Sequence, residues 1–174
     1  MSEFTRGLKI AILEDNADRT VAMRSVLAEV LYMYEPHFFP TAPLMVEWLE
    51  HHIHETLMIS LDHDLELPVQ SVDRTDPGTG RDVADALAER VPSCPVVIHT
   101  TNGPAGEGMV NVLNDALWQT HRVVPYDDLR WVRETWLPVI RSALFDLAEV
   151  TPSHVATATV PTGTGDFKAL SRGH

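Results

Sequence analysis

Five short apolar runs alternate with five amphipathic stretches along this chain. The first run, LKIAIL at residues 8–13, is apolar apart from its lysine, the pattern of a strand covered on both faces. It breaks off at Glu14, Asp15 and Asn16. A helix follows, capped by Asn16 or Asp18, with Ala17, Val21, Arg24, Ala28 and Leu31 on one stripe and Val26, Leu27 and Val30 beside it. A weak second strand at residues 37–39 lies between prolines, and Leu44, Met45, Trp48, Leu49 and Ile53 mark a second helix. The third strand, residues 56–61, stops abruptly at Asp62, His63 and Asp64. A polar loop, ELPVQSVDRTDPGTG, leads to a third helix at about residues 81–91, with Val83, Ala84, Leu87, Ala88 and Val91 on one side. The segment PSCPVVIHTTNG is a turn, a β-branched strand and a polar terminus at His99, Thr100, Thr101 and Asn102. Met109, Val112, Leu113, Ala116 and Leu117 mark a fourth helix. A fifth strand in HRVVPYDD stops at Pro125. The fifth helix begins at Asp127 or Asp128 and turns Leu129, Val132, Trp136, Leu137, Ile140 and Leu144 inward, with Pro138 placed to kink it. Trp131 and Trp136 read as packing residues.

Strand and helix alternating five times imply an α/β fold: a doubly wound parallel sheet with helices on both faces. Residues 1–150 form the expected domain. From residue 151 the composition shifts to Thr, Pro and Gly, which reads as a tail with little structure of its own.

Composition narrows the functional classes. The chain has 174 residues and carries 25 acidic against 13 basic side chains, a net charge of -12. So acidic a surface argues against sequence-independent binding to duplex DNA, which needs clustered Lys and Arg. It leaves room for a small phosphorylated ligand held through a metal. One cysteine, Cys94, rules out an intrachain disulfide and fits a reducing compartment. No run reaches the roughly 18 apolar residues of a membrane helix, and the N-terminus lacks a signal-peptide layout. The expectation is a cytoplasmic protein with no membrane partner.

In an open α/β sheet, ligands bind outside the carboxyl ends of the strands. Here three strand ends are polar: Glu14 and Asp15; Asp62, His63 and Asp64; His99, Thr100, Thr101 and Asn102. Carboxylates brought that close repel unless they share a cation, and oxygen donors suit a hard divalent ion such as Mg²⁺. Side chains alternate along a strand, so if Thr100 faces the site, His99 faces the helices unless the strand has already ended.

These residues resemble the receiver domains of two-component response regulators, from about Leu8 to Leu147. The resemblance implies a CheY-like, flavodoxin-like five-stranded sheet of order 2-1-3-4-5. It places Glu14 and Asp15 at the metal-binding acids, Asp62 at the phospho-acceptor position, the backbone carbonyl of Asp64 as a further Mg²⁺ ligand, and Thr100 at the family's Thr/Ser. A receiver carries Lys before the proline that ends strand five; this chain has Val124 there. LDHDL, HTTN and the lost Lys resemble a divergent branch, the cyclic-phosphate-processing receiver domain, which implies action on RNA 2′,3′-cyclic phosphate ends or cyclic nucleotides.

Opening a cyclic phosphate needs an activated water on one side and a protonated leaving oxygen on the other. An imidazole suits both tasks, which makes His63 and His99 the candidates. Thr100 and Asn102 can donate hydrogen bonds to the phosphate, while Glu14, Asp15, Asp62 and Asp64 are the expected metal residues; Asp62 can also attack phosphorus directly. Each has a plainer reading. His63 reads equally as a loop residue, His99 as a core histidine, and Asn102-Gly103 as a turn signal. The competing functions are an atypical receiver that accepts phosphate on Asp62 or acts through protein contacts, and a scaffold without chemistry. A homodimer is compatible with either.

Overall fold

A computed structural model describes residues 8–66, 75–126 and 128–150 of the chain. The C-terminal tail expected from residue 151, residues 67–74 of the long polar loop, and Asp127 lie outside the described residues.

The elements run β1 (Leu8–Leu13), α1 (Ala17–Val30), β2 (Tyr34–Phe39), α2 (Ala42–His52), β3 (Thr56–Leu61), α3 (Gly80–Ala88), β4 (Val96–His99), α4 (Gly103–Asp115), β5 (Thr120–Val123) and α5 (Leu137–Val150). The five strands form one sheet in the order β2-β1-β3-β4-β5, and every pairing is parallel. This is the expected doubly wound α/β architecture. Two cores cover its faces. Ala11, Leu13, Ile59, Leu61, Val96 and Ile98 pack under α2, α3 and α4. Ile10, Ile12, Met58 and Val97 pack under α1 and α5 with Trp131 and Trp136. Strand residues therefore alternate between two apolar layers, which is why the strands read as continuous hydrophobic runs.

Several helix boundaries and faces differ from the sequence pattern, each for a local reason. In α1 the buried residues are Met23, Val26 and Leu27, whereas Val21 and Ala28 of the expected stripe are exposed. The helix carries two comparable apolar stripes, and packing against the start of the α5 region selects the one containing Met23. Asn16 is the cap, its Oδ1 accepting from the Arg19 N–H at 3.0 Å. β2 begins three residues before the expected His37, because its register on β1 starts at Leu8↔Tyr34. α3 ends at Ala88 and leaves Val91 exposed; the following Pro92 disfavours helix at Val91. α4 closes with Leu117 at φ 68, and the Trp118 N–H reaches back to the Leu113 carbonyl at 2.9 Å. That left-handed cap turns Leu117 outward and Trp118 inward. Leu129, expected inward, is exposed. Ahead of Pro138, where the sequence suggests a kink, Val132–Trp136 form a single π turn with the Leu137 N–H bonded to the Val132 carbonyl.

Candidate functional site

The sheet register builds the site. Leu13 pairs with Leu61, and Leu61 with Ile98. One residue further on, Glu14, Asp62 and His99 lie abreast on three adjacent strands. The ladder continues into them: the Asp62 N–H donates to the Leu13 carbonyl and the Glu14 N–H to the Phe39 carbonyl, both at 3.0 Å. Residues abreast in a parallel sheet point to the same side, here toward α1 and the two tryptophans.

Glu14, Asp15 and Asp62 each offer a ligand atom, and these atoms lie within 4.8 Å of one another. Glu14 and Asp62 are buried, Asp15 half-buried. One oxygen on each is fixed by the backbone: Glu14 Oε1 accepts from the Asn16 N–H at 3.0 Å, Asp62 Oδ1 from the His63 N–H at 2.7 Å, and Asp15 Oδ2 from the Glu66 N–H at 2.7 Å. Burial pushes the Asp62 carboxyl above its ordinary range; nearby His99 opposes this, Glu14 adds to it, and the His63 N–H and Arg19 pull it down. Asp62 ionises at a cost that a cation would relieve.

A cleft of about 190 Å³ opens over the cluster, lined by Asp15, Asn16, Arg19, Asp62, Asp64, Glu66, Thr100 and Thr101. Among the described residues that line it, Arg19 is the only base. Its Nη1 lies 3.1 Å from Asp62 Oδ2 and 3.6 Å from Glu14 Oε2, and its guanidinium lies 5.7 Å from the Trp131 ring centre. No motif in the sequence singles out Arg19. The available signal was its position four residues after Asp15, on the turn of α1 that looks back at the strand end.

The structure separates the residues expected to do chemistry. Thr100 is buried and lines the cleft; its Oγ1 accepts from the Asn102 N–H at 3.1 Å. His99 follows strand alternation to the opposite side and is fully buried. Its Nδ1 is 2.8 Å from Ser60 Oγ, its Nε2 is 3.3 Å from Glu14 Oε2, and its ring stacks on Trp131. Trp136 Nε1 donates to the same Ser60 Oγ at 2.9 Å. An indole only donates, so one direction satisfies the whole chain: Trp136 to Ser60, Ser60 to His99 Nδ1, and His99 Nε2–H to Glu14. His99 thus stands behind the acidic cluster and holds one of its members.

His63 is half-buried beside the cleft and is not among its lining residues; its Nδ1 is 2.8 Å from Asp64 Oδ1. That bond holds the Asp64 carboxyl below the usual range, helped by the Asn102 side chain. The Asp64 carboxylate is turned to His63 and to Asn102 Nδ2 at 3.3 Å, not to the three-acid cluster. Asn102 caps α4, its Oδ1 accepting from the Ala105 N–H at 3.2 Å. Val124, in place of the receiver lysine, is exposed. Arg122, on β5 two residues before it, brings Nη2 to 3.5 Å from the Thr100 carbonyl and packs against Gly106, its Nη1 buried without a hydrogen-bond partner.

The fold and this acidic pocket define a receiver-like domain. Similar solved structures include a response regulator receiver domain from Rhodospirillum rubrum, 17% identical with TM-score 0.56, the match covering 80% of this chain and 94% of that one. Another is the phosphorylated cyanobacterial phytochrome response regulator RcpA, 18% identical with TM-score 0.57, covering 78% and 93%. At such identities the likeness is one of fold. No curated protein sequence matches the chain. Residues 12–115 match the model of the cyclic-phosphate processing receiver domain, and the chain belongs to that family.

The carboxylate set fits a hard divalent cation. Three carboxylates face one another with one arginine between two of them, and all the donors are oxygens, the chemistry that suits Mg²⁺. Among the described residues no helix is long and apolar enough to cross a membrane.

Proposed function

We propose that this domain is a metal-dependent phosphoesterase that opens cyclic phosphates, either at RNA ends or in cyclic nucleotides. The observation that carries the reading is the acidic cluster under a small polar cleft whose cation comes from α1, with Val124 at the position where a receiver carries lysine. A receiver that stores phosphate on Asp62 uses that lysine; this cleft is furnished otherwise. Family membership supports the substrate class.

Glu14, Asp15 and Asp62 would hold the metal, which would polarise the phosphoryl oxygens and acidify a bound water. The protein's own groups divide the remaining work. Thr100 and Thr101 offer hydroxyls to the phosphate from the cleft wall. Asp64 takes Nδ1 of His63, leaving Nε2 to exchange a proton at the cleft mouth, an arrangement in which a carboxylate orients a general acid–base. Water attacks phosphorus, the bond from phosphorus to one ribose oxygen breaks, and that oxygen takes up a proton. His99 positions Glu14 and touches no ligand.

The test is incubation with Mg²⁺ and a nucleoside 2′,3′-cyclic monophosphate, products separated by chromatography, with acetyl phosphate as a parallel substrate. Turnover of the cyclic phosphate that is lost in Asp62→Ala and His63→Ala supports the proposal. A stable phosphoryl adduct on Asp62 without turnover identifies an atypical receiver instead, and a protein that binds no Mg²⁺ and turns over neither compound defeats both.

A further inference from the structure

The side chain that most directly contacts the buried acids is the one with no assigned role. Asp62 and Glu14 each have one oxygen fixed by a backbone N–H. The other two oxygens, Asp62 Oδ2 and Glu14 Oε2, face a single guanidinium nitrogen of Arg19 at 3.1 and 3.6 Å. A cation shared between these acids needs the same side of the same carboxylates. Two cations cannot both sit there without strong repulsion. Arg19 therefore occupies the position of the metal's competitor.

It is also built to leave. Its side chain is 26% exposed, while the Glu14 and Asp62 side chains are 0% and 6% exposed. It grows from the first turn of α1 and rests on the face of Trp131, a contact that tolerates sliding. Thr100 and Thr101 stand in the same cleft. At β5, Val124 is apolar, and Arg122 packs against Gly106 with Nη2 3.5 Å from the Thr100 carbonyl and Nη1 buried without a hydrogen-bond partner, so among the described residues it is Arg19 that meets the acids directly.

Building on the reading of Glu14, Asp15 and Asp62 as a metal centre, we infer that Arg19 is an internal counter-cation. It neutralises Glu14 and Asp62 in the metal-free protein, yields them to the metal, and then clamps the phosphate of the substrate. The fork of a guanidinium fits two phosphate oxygens, which a lysine ammonium does not. One residue thus couples metal loading to phosphate binding.

The two halves predict opposite effects of one substitution. Isothermal titration calorimetry with Mg²⁺ alone, then with inorganic phosphate on the Mg²⁺-loaded protein, reads both without any need for turnover. In Arg19→Gln, Mg²⁺ binds about tenfold tighter than in wild type, the scale expected for removing a positive charge a few ångströms from a divalent ion. Phosphate then binds about 10- to 100-fold more weakly, the loss of a charge-assisted pair. Arg19→Lys, which preserves charge and side-chain bulk, keeps Mg²⁺ affinity near wild type and recovers only part of the phosphate affinity. Unchanged or weaker Mg²⁺ binding in a folded Arg19→Gln protein overturns the counter-cation role, and unchanged phosphate binding overturns the clamp. Wild-type protein that binds no Mg²⁺ overturns the metal-centre reading itself, a result separable from either failure of Arg19.

Discussion

Replacing His99 by leucine tests how the site is held. The imidazole is fully buried, and the variant keeps a similar apolar volume while removing both ring nitrogens. Ser60 loses the acceptor at 2.8 Å, and Glu14 Oε2 loses the donor at 3.3 Å. Ser60 can still accept from Trp136, so its hydroxyl hydrogen is the group left unpaired. A buried neutral group stripped of its partner costs about 1–3 kcal/mol, and a buried carboxylate more. Glu14 keeps the Asn16 N–H and a long contact to Arg19, which limits the damage. The sum is a loss of about 3–4 kcal/mol in urea unfolding of the metal-free protein, a large share of a typical domain's stability. Orienting partners behind metal ligands are worth about 10–100-fold in affinity, so Mg²⁺ binding should weaken by that factor. A His99→Leu protein that loses under about 1 kcal/mol and binds Mg²⁺ within twofold of wild type would refute the positioning role.

Three further outcomes follow from separate features. A Cβ at Gly80 would collide with the Asp62 backbone carbonyl and touch Met109 Sδ, and the Gly80 N–H holds the His63 carbonyl at 3.1 Å; Gly80→Ala should cost at least the 1–3 kcal/mol or so of overpacking and weaken Mg²⁺ binding, and a neutral variant by both measures would show that the strand end yields freely. The carboxyl of Asp62 lies above its ordinary range, so its contribution to metal-free stability is full below the usual aspartate pKa and is lost as pH rises through the raised folded value; Asp62→Asn should therefore stabilise the metal-free protein at neutral pH by about 0.5–2 kcal/mol and abolish Mg²⁺-induced stabilisation, with wild-type Mg²⁺ affinity falling on acidification at a higher pH than for an ordinary carboxylate. Burial drives the Cys94 thiol up to about 12, so it should stay inert toward a disulfide reagent at pH 8 until urea unfolds the chain; rapid labelling of the native protein would contradict its burial.

Periodicity alone made much of this molecule legible. Short apolar runs that alternate with amphipathic stretches read as strands between two helical layers, and five such alternations leave few topologies. Polar residues closing those runs marked the candidate edge, because the carboxyl ends of parallel strands open together. Glu14, Asp15, Asp62 and Thr100 were placed at one sheet edge in this way, the receiver resemblance singled them out among their neighbours, and strand alternation already opposed His99 to Thr100.

Tertiary structure decided what no local pattern encodes. The register Leu13↔Leu61↔Ile98 sets His99 abreast of Glu14 and Asp62, and so makes it their support. The π turn before Pro138 carries Trp136 to Ser60, closing a hydrogen-bonded chain across 76 residues of sequence. Arg19 is the clearest case: a charged residue in an amphipathic helix reads as solvated surface, and only the packing of α1 over the strand ends aims it at two buried acids. Sequence fixes which groups are available at an edge because that depends on local alternation. Which of them touch depends on register and helix placement, which are set by contacts between residues far apart in the chain.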